Sequence, residues 1–180
     1  MKEFLASIVH RVFAEGTTTL LQESARFTPA GLTDVCLGLR ADMRNCLASL
    51  PDVAFTARAD APSGEAGWTA GQIISHNTDR LLWVLGEAAA TLGVELDSPR
   101  ELITQHAARV PLVLSQRTAL GVLAGATEYV EAAGPLLQAL DKGQTGARTH
   151  HGTMGLAAWL LLACIHDNDH LDQLRLREAS

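Results

Sequence analysis

Residues 156–177 read LAAWLLLACIHDNDHLDQLRLR. Trp159, Leu160, Ala163, Leu171 and Leu174 recur along this stretch at helical spacing, which predicts an amphipathic helix from about Leu156 to Arg177. Residues four apart lie about 40° apart around a helix, so His166 and His170 share a face one turn from each other. That face continues Trp159 and Ala163 and reaches Gln173, which places the imidazoles on or beside the apolar stripe. Half-buried imidazoles need partners for both ring nitrogens. A metal on one nitrogen and a carboxylate or carbonyl on the other would supply them.

Working outward, the pattern remains helical. Leu5, Ile8, Val9, Val12 and Phe13 fall on one face, predicting a helix over 2–15 that Gly16 and three threonines weaken. A second helix spans about Pro29 to Leu50 and stops at Pro51, and residues 51–67 read as an irregular connection. Thr69 and Gln72 form a capping box, with Trp68 and Ile73 at staple spacing. The helix that follows runs to about Thr91, where Gly93 closes it. Ser98-Pro99-Arg100-Glu101 is a second capping box and opens a short helix before Pro111. From Ser115 to Leu140 the pattern predicts a long helix that Gly134-Pro135 should kink or break. The segment 141–152, DKGQTGARTHHG, reads as a loop. These elements predict an all-α protein, a four-helix bundle over 29–180 with an additional N-terminal helical extension over 1–28.

Composition agrees. The 180 residues are 47% hydrophobic, only 4% aromatic and 19% charged, with Ala and Leu dominating the apolar set, as helices favour. A chain this long buries a core large enough to fold without disulfides or a structural metal. The net charge of −6 argues against a nucleic-acid partner. Cys36, Cys46 and Cys164 are odd in number and show no CxxC spacing, so a reducing compartment is expected. The N-terminus is interrupted by charge, unlike a signal peptide, and no run reaches membrane-spanning length. A cytoplasmic protein with no membrane partner is therefore expected. The amphipathic N-terminal helix must cover either its own bundle or a second copy, which is the reason to expect a homodimer.

Asp167 follows His166 where a zincin would carry glutamate, so that protease mechanism is not supported. His76, two turns into its helix, shares an angular face with Gln72, Trp83 and Glu87; as a lone histidine it reads first as a hydrogen-bonded core residue. Asp79 and Asp169 lie about 60° from His76 and His166 and could orient a ligand or water, although each reads first as a solvated residue. Glu87 is too far along the helix to share an ion with His76. His150-His151 reads as a solvated loop pair that could border an opening. His106 has no partner, Cys164 suits core packing, and no motif gives Tyr129 proton chemistry. Phosphate loops, nucleophile elbows and dinucleotide fingerprints are absent.

WTAGQIISH (68–76) and HGTMGLAAWLLLACIHDNDHLDQL (151–174) together resemble the second and last bundle helices of DinB/YfiT-like proteins. The similarity in order and spacing covers roughly 30–177. Gln72 stands where the family often has Glu, and Asn77 where an apolar residue is common. The resemblance implies a DinB-type four-helix bundle and a divalent metal on His76, His166 and His170, with Asp79, Asp169 and Gln173 available behind the ligands. Three neutral imidazoles leave a coordination position open and suit nickel or zinc. The resemblance further implies a small-molecule substrate handled by metal-assisted hydrolysis or by transfer dependent on a low-molecular-weight thiol. The rival expectation is a helical binding or stress-response module in which a metal is structural or absent.

Overall fold

Thr69 accepts a hydrogen bond from the Gln72 amide at 3.2 Å, while Gln72 Oε1 accepts from the Thr69 amide at 3.1 Å. This reciprocal cap starts a helix from Ala70 to Thr91 in the computed structural model, which describes residues 2–57, 64–97 and 111–178. At the other end Gly93 takes φ +71°, and the Val94 and Gly93 amides reach back to Ala89 and Ala90, a Schellman closure.

In chain order the elements are α1 (Lys2–Val9), a π-helical turn (His10–Ala14), α2 (Leu20–Ser24), α3 (Pro29–Ser49), α4 (Val53–Thr56) and a 3-10 turn (Glu65–Gly67). They continue with α5 (Ala70–Thr91), α6 (Gln116–Leu140), strands β1 (Thr145–Thr149) and β2 (Gly152–Gly155), and α7 (Leu156–Glu178). The molecule is thus predominantly helical. Its four long helices close a ring in which α3 and α5 each pack against both α6 and α7. Buried leucines and alanines from all four fill the centre, with Met43, Trp159 and Cys164. No helix among the described residues is long and apolar enough to cross a membrane.

Two expectations are corrected here. Helix α6 continues through Pro135 without a break. Both Pro135 and Glu131, whose carbonyl loses its partner, are exposed, so water can satisfy the freed group. The supposed loop 141–152 instead contributes to an antiparallel hairpin, β1 with β2, whose turn is His150-His151. Thr149 Oγ1 accepts from the His151 amide and donates to the Gly152 carbonyl, both at 3.1 Å, so one hydroxyl organises a turn without the usual Asn-Gly signal. A Cβ at Gly146 would lie 2.6 Å from Thr91 Oγ1, so only glycine lets β1 pass this close to the end of α5. The connection 51–67 holds α4 and the 3-10 turn, while the short helix expected after Ser98 lies outside the described residues.

The N-terminal extension packs on the body. Leu5, Ile8 and Leu20 are buried, and α1 and α2 both contact α7. Arg11 holds buried Glu23 bidentately at 2.8 and 2.9 Å, with Thr18 and Arg26 adding to the grip. These interactions, the Arg11 hydrogen bonds foremost, push the Glu23 carboxyl down to about 2. Of the apolar face that suggested a dimer, Leu5 and Ile8 are covered within one chain and Val12 is half-buried, whereas Val9 and Phe13 stay exposed.

At the heart of the ring, Arg40 of α3 meets Asp167 of α7 and Asn77 of α5, each no more than 1% exposed. Arg40 Nη2 donates to Asp167 Oδ1 at 3.2 Å and to Asn77 Oδ1 at 3.1 Å, and Asn77 Nδ2 donates to Asp167 Oδ1 at 2.8 Å. Arg40 Nε lies 3.1 Å from Asp167 Oδ2 as an ion pair, without the alignment of a hydrogen bond. The Cys36 thiol approaches Asp167 Oδ2 at 3.4 Å. Burial alone would lower the Arg40 pKa, but the Asp167 carboxylate and the neighbouring Cys36 together more than offset it, and the guanidinium ends up raised. Removing one partner of such a pair costs about 3–5 kcal/mol, because a charge is left buried and uncompensated. Asp167→Ala is thus expected to lower unfolding free energy by about that amount in urea titration, and a paired Arg40→Met, Asp167→Leu change by distinctly less. A loss below about 1 kcal/mol for Asp167→Ala would show that the pair is not essential.

Candidate metal centre

His76 projects from α5 two turns after the Thr69 cap, and His166 and His170 project from α7 one turn apart. The packing of α5 on α7 brings all three imidazoles together. His166 Nε2 lies 3.2 Å from His76 Nε2 and 3.1 Å from His170 Nε2, and one nitrogen of each ring falls within 4.8 Å of the others. Nitrogens about 2.0–2.1 Å from a tetrahedral zinc would sit about 3.3 Å apart, close to the two shorter spacings.

Proton bookkeeping also favours a cation. Gln173 Oε1 can only accept, so its 2.9 Å contact places the His170 proton on Nδ1 and leaves a lone pair on Nε2. His166 Nε2 faces two nitrogens and has at most one proton there, so it cannot donate to both. A divalent ion at the convergence would use all three lone pairs. Two of the rings, His76 and His166, are also kept in the neutral form that ligates. Burial first, then the nearby His170 and Arg80, lowers His76 to about 4. Burial, followed by the other two histidines and the Arg80 and Arg40 charges, pushes His166 down to about 2.

Trp68 caps the cluster, its ring centroid 4.8 Å from His76 and 6.5 Å from His170. Arg177, at the end of α7, donates to the Ala66 carbonyl at 3.0 Å and to the Trp68 carbonyl, tying down the segment that carries this indole. The histidines open into a cavity of about 370 Å³ whose walls include Trp83, Val84 and Leu162. Arg80, Glu65, Asp169 and the hairpin histidines His150 and His151 also line it.

Of the residues singled out from sequence, His76, His166 and His170 converge, and Gln173 binds the outer nitrogen of His170. Asp169 lines the cavity, whereas the half-buried Asp79 and Glu87 do not. His150 and His151, read as a solvated loop pair, belong to the cavity wall. Their rings lie 3.8 Å apart, and His151 is within 6.5 Å of Trp83 and 6.4 Å of Phe13, ring centre to ring centre. Burial, and then His150, lowers the His151 pKa. Cys164 packs in the core and donates to the Leu32 carbonyl at 3.3 Å. His106 lies outside the described residues. Sequence reasoning missed Arg80, although its spacing of four from His76 places it one turn along the same face. It also missed Asp167 and Asn77 as buried partners, because nothing local distinguishes a buried aspartate from a solvated one. Compared with protein-family models, curated proteins and solved structures, the chain matches none of them.

The depressed histidines make the metal-free protein acid-sensitive. Unfolded histidines titrate near 6.5, above His76 and His166 in the folded chain, so the unfolded state binds more protons below that pH. Stability from this source is full above about 6.5 and is lost as pH falls toward 4 and below. The urea midpoint of metal-free protein should fall between about pH 7 and about pH 5, and His166→Leu should reduce that fall. An equal fall in the variant would remove His166 as a source.

Proposed function

We propose that this chain is a DinB/YfiT-like metal-dependent enzyme that holds one divalent transition metal, nickel or zinc, on His76, His166 and His170. The observation that carries the reading is the convergence of three imidazoles in the lining of a cavity of small-molecule size. On this reading the ring of four long helices is the DinB-type bundle, with α1 and α2 as its N-terminal addition. When bound, the metal supplies Lewis-acid chemistry, polarising a carbonyl or lowering the pKa of a water or thiol. Metal-assisted hydrolysis and transfer dependent on a low-molecular-weight thiol both fit such a centre.

The chain's own residues have separable tasks. Gln173 sets the tautomer of His170 and holds its ring in place. Trp68 shields one side of the cluster, so substrate enters along Trp83, Val84 and Leu162. Asp169, on the cavity wall, is the carboxylate positioned to accept a proton released there. Asp79 receives no role. Three buried, unbridged cysteines favour a cytoplasmic setting.

Protein purified without a histidine tag should carry about one transition-metal ion per chain, read by elemental analysis. His166→Ala with His170→Ala should abolish loading, and full retention of metal in that double variant would overturn the assignment. Gln173→Leu should keep the site but weaken metal affinity about 10–100-fold, measured by chelator competition. Turnover of esters and amides, with and without added low-molecular-weight thiols, then separates the two chemistries.

A further inference from the structure

The cavity contains a cation that the metal centre does not use. Arg80 lies four residues after His76 on α5, one turn along the same helix face, and lines the cavity. Glu65 and Asp169 line the same space, yet Arg80 makes no ion pair or hydrogen bond among the described residues. The other arginines for which ion pairs are found, Arg11, Arg26, Arg40 and Arg175, each meet a carboxylate. Arg80 is therefore a charged group lining an occupiable space with no counter-ion among the described residues.

The charge balance around it is equally uneven. The cluster is made of three imidazoles with no carboxylate among them. A divalent ion there would add two positive charges beside the guanidinium, and an anionic ligand would reduce that excess. A planar carboxylate matches the guanidinium fork, with two N–H donors facing two oxygens. A phosphate dianion fits less well, because Glu65 and Asp169 share the cavity and would repel the second charge. The same wall includes the apolar side chains of Trp83 and Val84, one turn beyond Arg80 on α5, and Leu162, one turn before His166 on α7. A volume of about 370 Å³ is near the lower end for small-ligand pockets.

We propose that the ligand of this cavity is a small carboxylic acid with an apolar or aromatic body, its carboxylate seated on Arg80 and its body against Trp83, Val84 and Leu162. The inference deepens the metal-enzyme reading and rests on it for the placement of the reacting end. Arg80 itself is a specificity residue that anchors the ligand. Because its side chain is exposed and partly screened by water, it contributes a moderate preference.

Benzoate, its neutral isostere benzamide and phenyl phosphate serve as probes in calorimetric titrations of the full chain, metal-free and zinc-loaded. Benzoate should bind about tenfold more tightly than benzamide and more tightly than phenyl phosphate. Arg80→Gln should bring benzoate and benzamide within about twofold, while Arg80→Lys should keep part of the preference. The exposed position of Arg80 on a helix predicts an unchanged urea midpoint for both variants, which checks folding separately. Equal binding of benzoate and benzamide, an unchanged preference in Arg80→Gln, or tighter binding of phenyl phosphate would overturn the proposal. Zinc loading is measured independently. A chain that takes up no zinc would overturn the metal reading, while the probe comparison on the metal-free chain would still decide the role of Arg80.

Discussion

Arg40, Asp167 and Asn77 form the contact on which the rest of the structure depends. They join α3, α5 and α7 at a point closed to solvent, and two of them directly follow histidines of the cluster. Asn77 comes after His76, and Asp167 after His166. Successive side chains on a helix are about 100° apart. Holding Asn77 and Asp167 inward toward Arg40 therefore sets the rotation of α5 and α7 and turns the preceding imidazoles toward each other and the cavity. A buried ion pair of this kind adds little net stability compared with apolar packing, but it is costly to break. It thus acts here as a register device: slippage of either helix would strand a charge.

The same rotation creates the chemical character of the centre. The imidazoles are withdrawn from water far enough that burial dominates the lowering of His76 and His166. Their lone pairs remain available at neutral pH. Supports outside the cluster keep that geometry. Gln173 orients His170 from its own helix, and Arg177 holds the backbone beneath Trp68. The hairpin after α6 brings His150 and His151 to the cavity wall, with Thr91 packed against Gly146 at the join. The centre is consequently held by side chains from the two ends of α5 and α7 as well as by the ligands themselves.

The legibility of these features follows from the range of the interactions that create them. Caps and helix ends are local, so Thr69 with Gln72, Pro29 and Gly93 marked boundaries that the fold retains. The hairpin escaped because its turn depends on Thr149 Oγ1 and its strands have no apolar alternation. The helix does not break at Pro135, because the cost there depends on whether water reaches the freed carbonyl, a property of the folded surface. Asp167 and Asn77 were hidden for a similar reason. A polar residue between histidines reads as solvated until another helix supplies its partner, and that partner, Arg40, is 127 residues away from Asp167.

The sequence by itself determined the helices, their capped ends and the common face of His166 and His170, because backbone hydrogen bonding and the 3.6-residue period act over a few positions. Only the tertiary structure decided which helix face met which. It placed His76 at 3.2 Å from His166 across 90 residues of chain, set Arg80 in the cavity lining with no counter-ion among the described residues and buried the Arg40–Asp167 pair. Periodicity specifies a direction around one helix axis. The neighbour found in that direction is set by how several such axes pack together.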